Sequence, residues 1–131
     1  MSELAAEGHL YLDSQDAFDR FAAGLAGEPL LAVDTEAASF HRYRDRIYLI
    51  QLSTRDATAI VDPLAVPDLS ALGRLLADPG VETLFHDADY DLRILHRDYG
   101  FSAAHLFDTR IAAQLLNEPG IGLAALLEKY R

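Results

Sequence analysis

The residues of this sequence that could do chemistry are, first of all, two carboxylates that follow an apolar run. Asp34, Thr35 and Glu36 come directly after residues 30–33, a run typical of a buried strand. Side chains alternate along a strand, so Asp34 and Glu36 would face the same side. Neighbouring carboxylates repel unless a cation lies between them, and hard oxygen ligands suit Mg²⁺ or Mn²⁺. A strand that simply ends in solvent would give the same tripeptide, so both interpretations stay open.

A second acidic group lies at a predicted strand-to-helix junction, where residues 86–92 are His-Asp-Ala-Asp-Tyr-Asp-Leu. At 100° per residue, Asp91 falls at the edge of the apolar sector of the helix, near the protein body, where a metal at a strand end could reach it. Asp87 and Asp89, in the first turn, are better explained as helix-capping residues. For Asp91 capping and metal binding stay open. His86 is a ligand, a general base or a histidine paired at a strand end.

The rest of the sequence excludes several classes of enzyme. It has no cysteine, and its five histidines show no pair at zinc-ligand spacing, which argues against thiol and zinc chemistry. No Gly-x-Ser-x-Gly elbow or glycine-rich phosphate loop occurs.

The net charge of −10 argues against broad binding along a nucleic-acid backbone, but not against a strand held locally through metal ions. Residues 40–46 are basic and aromatic, and either contact a nucleotide or form a solvated turn.

The elements that must position these groups alternate in type along the chain. The apolar periodicity predicts strands at residues 9–12, 30–33, 47–52, 57–61, 82–85 and 106–107. It predicts helices after a cap at Asp13 or Ser14, from Asp68, and over residues 88–99, 108–116 and 122–130. Three successive strands with short links favour an antiparallel meander. Together these features predict an α/β fold with a mixed central β-sheet, containing parallel strands as well, flanked by α-helices.

Length and composition are those of one soluble domain. The 131 residues are half hydrophobic, which suits a single core. No apolar run approaches the roughly 20 residues that cross a bilayer, and no signal peptide is visible at the N-terminus. We therefore expect a cytoplasmic protein that does not enter membranes.

Taken in order, these segments resemble the ribonuclease D branch of the DEDD superfamily of 3′-5′ exonucleases. The first exonuclease motif of that family is similar to LAVDTEAASFHRYRDRIYLIQLS, and the second is similar to LFHDADYDLRIL, in which the last aspartate is Asp91. The stretch that normally follows is similar to LFDTRIAAQLL and GLAALLEKY. The resemblance covers roughly residues 28 to 130 and implies a ribonuclease H-like fold.

The resemblance also implies a site and a reaction. Two divalent cations, Mg²⁺ or Mn²⁺, would act on the phosphodiester bond at a single-stranded 3′ end of RNA, or of DNA. Asp34 would bridge both ions, Glu36 would bind the ion that activates water, and Asp91 would hold the second ion directly or through water. Thr35, Phe40 and His86 would contact the terminal nucleotide.

The sequence departs from the family pattern in one respect. The third motif of the family has a tyrosine four residues before a final aspartate, and no Tyr-x-x-x-Asp occurs in these 131 residues. We therefore expect a C-terminally incomplete exonuclease domain that is inactive or weak. Two alternatives remain. One is a non-catalytic module that binds nucleic acid or protein through the same cleft. The other is a structural fragment whose uncovered apolar surface would self-associate, with these helix residues to watch: Leu115, Leu116, Leu123 and Leu127.

Overall fold

The structure is a computed structural model that describes residues 8–39 and 44–131, together with the backbone of residues 3–5. These residues form seven strands and five helices. The strands are β1 (Glu3–Ala5), β2 (His9–Leu12), β3 (Leu30–Ala38), β4 (Arg46–Ser53), β5 (Thr58–Val61), β6 (Glu82–Phe85) and β7 (Leu106–Asp108). The helices are α1 (Gln15–Gly24), α2 (Ser70–Ala77), α3 (Ala88–Tyr99), α4 (Thr109–Leu115) and α5 (Leu123–Tyr130).

The strands form one mixed sheet in the order β1-β2-β5-β4-β3-β6-β7. The meander β3-β4-β5 is antiparallel, whereas β3, β6 and β7 run parallel to one another. The predicted α/β class is therefore confirmed. Because β3, β6 and β7 point the same way, their carboxyl ends meet at one edge of the sheet, where open α/β sheets commonly bind ligands.

The central strand β3 is longer than the sequence predicted. Its pairing with β4 continues to Ala38, so Asp34, Thr35 and Glu36 lie within the strand and not after its end. The residue alternation is as predicted, since Leu31, Val33 and Thr35 are buried while Asp34 and Glu36 are exposed. The apolar run ends at Val33, but the main-chain bonds to β4 continue to Ala38. These bonds do not require apolar side chains, so the apolar pattern did not show where β3 ends. The short strand β1 was not predicted.

The N-cap residues of α1 and α4 make side-chain capping bonds, whereas those of α2, α3 and α5 make none. Ser14, one of the two predicted caps, accepts the N–H of Ala17 at the start of α1 (3.2 Å). Helix α3 ends at Gly100, whose φ of 73° is readily adopted by glycine, and whose N–H bonds to the carbonyl of His96. In the part of the chain that the structure describes, no helix has the length and apolarity needed to cross a bilayer.

Candidate active site

The first two carboxylates lie on one face of the middle of the sheet. Asp34 and Glu36 are exposed on β3, and Asp34 is opposite Gln51 of β4 in the antiparallel ladder. The pairing of β3 with β6 involves residues 30–32 only, so no β6 partner continues alongside the acidic segment. The N-terminal part of α3 approaches β3 there, which brings the second acidic group toward the first.

The contact between α3 and β3 is a hydrogen bond to Asp91. The buried hydroxyl of Thr35 donates to Oδ1 of Asp91 over 2.5 Å. Asp91 is 6% exposed, so the prediction that its carboxylate is held against the protein body is confirmed. Thr35 stands between Asp34 and Glu36 in the chain. The hydrogen bond therefore ties Asp91 to the strand segment that carries the other two carboxylates.

The surroundings of the Asp91 carboxyl disfavour its ionised form. Burial raises its pKa to about 6, the hydrogen bond from Thr35 opposes that rise, and the charges of Asp34, Asp87 and Glu36 add to it. A carboxyl that loses hydration and faces like charges gains from a nearby cation. The environment of Asp91 thus favours divalent metal binding.

The three carboxylates are neighbours but do not form a ready-made clamp. Among the described residues, no three histidine, aspartate or glutamate side chains come together closely enough to hold a metal ion. The tight convergence of Asp34, Glu36 and Asp91 that the sequence suggested is therefore not present in these side-chain positions. Their ligand chemistry, oxygen only, fits Mg²⁺ or Mn²⁺.

Asp87 and Asp89 lie where predicted, at the N-cap and in the first turn of α3, where acidic residues favour the helix dipole, but neither makes a described capping bond through its side chain. Asp87 occupies the N-cap position of α3 with φ 66°, but its side chain makes no capping bond and instead pairs with Arg110 (3.0 Å). Asp89 pairs with Arg93 one turn along the helix (3.1 Å). The cap comes from Asp108, at the end of β7, which accepts the N–H groups of Asp87 and residue 88. A residue far away in sequence supplies it, so periodicity within the helix could not have identified it.

His86 is held at one ring nitrogen by Thr109. Its Nδ1 lies 2.8 Å from the Thr109 hydroxyl, whose single proton can go to this nitrogen or to the carbonyl of Phe85 at 3.2 Å. The two arrangements correspond to the two tautomers of the imidazole. Nε2 is buried, and no residue that the structure describes bonds to it. A buried polar nitrogen without a partner is suited to a hydrogen bond with a ligand group.

A cavity of about 260 Å³ lies beside these groups. Its polar lining includes Asp34, Gln51, Ser53, His86 and Thr109. The sequence did not single out Gln51, Ser53 or Thr109. Residues 47–52 are apolar except for Gln51, and a strict period of two would place Gln51 on the same side as Ile47 and Leu49. A register irregularity in the pairing of β3 with β4 breaks that period, so the pattern could not have identified Gln51. The Asp-Thr pair after residue 107 is an ordinary helix-start pattern.

The predicted nucleotide contacts fall into three groups. His86 lines the cavity, as just described, and its role there stays a prediction. The hydroxyl of Thr35 donates its proton to Asp91, so while that bond lasts the hydroxyl can contact a nucleotide only as an acceptor. Phe40 lies outside the described residues, as do residues 41–43 of the basic aromatic stretch.

Comparison with known proteins agrees with the geometry. A family model described as "3'-5' exonuclease" matches residues 10–131. Among curated relatives, "Protein RRP6-like 3" of Arabidopsis thaliana is 34% identical over 124 residues, which are 94% of this chain and 14% of that protein. "Ribonuclease D" of Shewanella sp. (strain ANA-3) is 34% identical over 119 residues, or 90% of this chain and 31% of that protein.

A solved structure shows the same fold. The crystal structure of Escherichia coli RNase D, "an exoribonuclease involved in structured RNA processing", matches with a TM-score of 0.86 and 29% identity, over 93% of this chain and 33% of that one. This match confirms the ribonuclease H-like fold class. The chain thus spans a third or less of the length of these relatives. From the family model, the relatives and the shared fold together, the chain belongs to the 3′-5′ exonuclease family, in its ribonuclease D-like branch.

Proposed function

We propose that this chain carries the metal-binding part of a 3′-5′ exonuclease that hydrolyses phosphodiester bonds at a single-stranded 3′ end of RNA. The observation that carries the proposal is the buried Asp91 bonded to Thr35, between Asp34 and Glu36. Membership of the family supports the reaction class, and the names of relatives such as ribonuclease D support RNA as substrate. The relatives are several times longer than this chain, so their whole activity is part of the proposal.

The three carboxylates would hold two divalent cations, Mg²⁺ or Mn²⁺. Bound divalent ions neutralise phosphate charge and supply Lewis acidity for hydrolysis at neutral pH. Asp34 and Glu36 present exposed oxygens on one face of β3, while Asp91 contributes a charge whose hydrogen bond to Thr35 fixes its rotamer. By their family positions Asp34 would be shared between the ions, Glu36 would serve the ion that activates water, and Asp91 the other.

His86 would bind the terminal nucleotide through a hydrogen bond at Nε2, which has no partner among the described residues. His86 and Asp34 both line the cavity of about 260 Å³. A ribose hydroxyl can both donate and accept, so it suits Nε2 in either tautomer. A 2′-hydroxyl as the partner would make the site prefer RNA over DNA. Thr35 and Phe40 complete the proposed set of contacts, on the evidence of their positions in the first motif.

Metal binding is the first test because it depends on these three side chains. Titration of the chain with Mn²⁺, followed by electron paramagnetic resonance, should show binding that Asp34→Asn and Asp91→Asn each weaken at least tenfold. Asp56→Asn is the matched control, since Asp56 is an exposed carboxylate in the turn that follows β4. Equal affinity in the wild type and in Asp34→Asn would reject the proposal.

Hydrolysis is the second test. A 3′-labelled single-stranded RNA in Mn²⁺ buffer should release mononucleotides, at a low rate for these 131 residues, and the release should stop with Asp34→Asn. DNA of the same sequence in parallel tests the substrate preference. RNA binding that persists unchanged in EDTA, without any release of mononucleotides, would favour the non-catalytic alternative and contradict the proposal.

The apolar surface at the C-terminal end supports a further property, self-association of this chain. Leu115 and Leu116 are 82% and 73% exposed, and Leu127 is 56% exposed. Leu116 and Leu127 line a cavity of about 310 Å³ whose walls are almost wholly apolar. Contiguous apolar surface seeks a partner in water. We therefore expect a concentration-dependent dimer or larger assembly in solution.

A further inference from the structure

Asp108 joins the N-termini of the two helices beside the candidate site. Its Oδ1 accepts the backbone N–H groups of Asp87 (3.0 Å), Arg110 (2.9 Å) and Ile111 (3.4 Å). Its Oδ2 accepts the N–H of Ala88 (2.8 Å). One carboxylate therefore caps both α3 and α4. Two helices can share it because β6 and β7 are parallel neighbours, so α3 and α4 begin at the same edge of the sheet.

Asp108 stabilises an unfavourable backbone turn at Asp87, directly before α3. Asp87 adopts φ 66° and ψ 64°, a left-handed conformation that costs free energy for a residue other than glycine. Such a conformation persists when neighbouring contacts over-determine it. Here the contacts come from the junction of β7 and α4: the shared carboxylate of Asp108 and the ion pair between Asp87 and Arg110. Asp91 lies one helical turn beyond this point.

The charge state of Asp108 suits this role. Burial acts to raise its pKa, but the four backbone N–H bonds favour the ionised form and bring the pKa below its usual value. An ionised carboxylate at two helix N-termini interacts favourably with both helix dipoles. The same corner holds His86, because Thr109, the residue after Asp108, bonds to its Nδ1.

We infer that Asp108 is a positioning residue for the metal centre. It fixes the start of α3, and thereby the place of Asp91 beside β3, and it orients His86 through Thr109. Asp108 touches neither Asp34 nor Glu36 in any described contact, so its effect on metal binding would be indirect. This inference rests on the proposed function, because it takes Asp91 to be a metal ligand.

Two variants of Asp108 distinguish its cap on α3 from its cap on α4. In Asp108→Asn one oxygen remains and the other becomes an NH₂ group, so the bond from Ala88 is lost while the amide oxygen can still cap α4. In Asp108→Ser the side chain is shorter but serine remains a good cap for α4. Both variants should fold, since the cap lost is that of α3 alone. Ser14→Ala is the matched control, because it removes the cap of α1, away from the site.

The measurement is the Mn²⁺ affinity of the full chain, at a temperature where circular dichroism shows every variant folded. Loss of a direct partner of a metal ligand typically weakens metal binding 10- to 100-fold. Asp108 acts one step further away, through the backbone at the start of α3, so both Asp108 variants should bind Mn²⁺ more weakly by about tenfold, the lower end of that range. Ser14→Ala should lower the melting temperature and leave the affinity unchanged. If the Asp108 variants lose thermal stability but bind Mn²⁺ as the wild type does, Asp108 is only structural and the inference is wrong. Absence of Mn²⁺ binding by the wild type would instead reject the proposed function.

Discussion

Two regions of this molecule differ sharply in how they are packed. Residues 9–101 contain almost all of the core, and of the side chains that the structure describes, all the large fully buried ones lie there. In residues 106–131 only Ala113 is a buried hydrophobic, although the segment is rich in leucine. The carboxylates of the proposed metal centre are therefore anchored in the well-packed region. The C-terminal segment contributes the cap Asp108, the partner of His86 and an apolar face.

This difference shows that an apolar side chain is not necessarily part of the core. Leu95 on α3 and Leu115 on α4 are both helical leucines, yet Leu95 is inaccessible and Leu115 is 82% exposed. The first stabilises the helix that carries Asp91. The second is available to another surface. The following predictions test this contrast, from the largest expected effect to the smallest.

Leu95→Ala should destabilise the chain by about 2–5 kcal/mol, because it leaves a cavity under α3. Leu115→Ala removes the same atoms from an exposed position and should change the free energy of unfolding by no more than about 0.5 kcal/mol. Urea unfolding followed by circular dichroism measures both. Similar losses in the two variants would show that the C-terminal segment is packed as tightly as the rest.

Asp91 should make the stability of the metal-free chain depend on pH. Its folded pKa of about 6 lies above the ordinary value of 3.8, so the folded state binds more protons in this window. Stability should therefore fall as the pH rises from about 4 to about 6, by at most roughly 3 kcal/mol. Asp91→Asn should remove most of this fall. Carboxylates with a lowered pKa, such as Asp108, contribute the opposite slope, so the comparison is the difference between wild type and Asp91→Asn. A difference that stays constant from pH 4 to pH 6 would contradict the environment described for Asp91.

Thr35→Val tests the hydrogen bond on which the position of Asp91 depends. The Thr35 bond lowers the pKa of Asp91, so its loss should move the pKa further upward. At pH 7 the variant should lose about 1–2 kcal/mol of stability, and less at pH 4, where Asp91 is protonated. Thr83→Val is the control, because Thr83 is equally buried but bonds to the carbonyl of His105. If both variants lose the same stability at both pH values, the Thr35–Asp91 bond has no special electrostatic role.

Charges placed on the apolar face should separate associated molecules without affecting the metal centre. Leu116→Glu combined with Leu127→Glu should weaken self-association by roughly tenfold or more in analytical ultracentrifugation. Leu64→Glu, at an exposed leucine of the well-packed region, should have little effect. A sedimentation profile that is monomeric in the wild type at high concentration would show that this face has no partner in a second copy.

Most of the fold could be predicted from sequence, because apolar periodicity reports which residues face the core. Strand β6 and helix α3 have the bounds that periodicity predicted. The second half of β3 escaped prediction because it is held by main-chain bonds to β4. The carboxylates were identified by their spacing and by the family resemblance. The shared cap Asp108 was not, since it depends on how β6 and β7 lie side by side, which is a tertiary property.

The most direct test of the account is a crystal structure of the chain grown with Mn²⁺, with data collected near the manganese absorption edge. We predict anomalous density bounded by the oxygens of Asp34, Glu36 and Asp91, with the three side chains drawn closer together than they are here. Saturating Mn²⁺ with no anomalous density among these three residues would contradict the central claim.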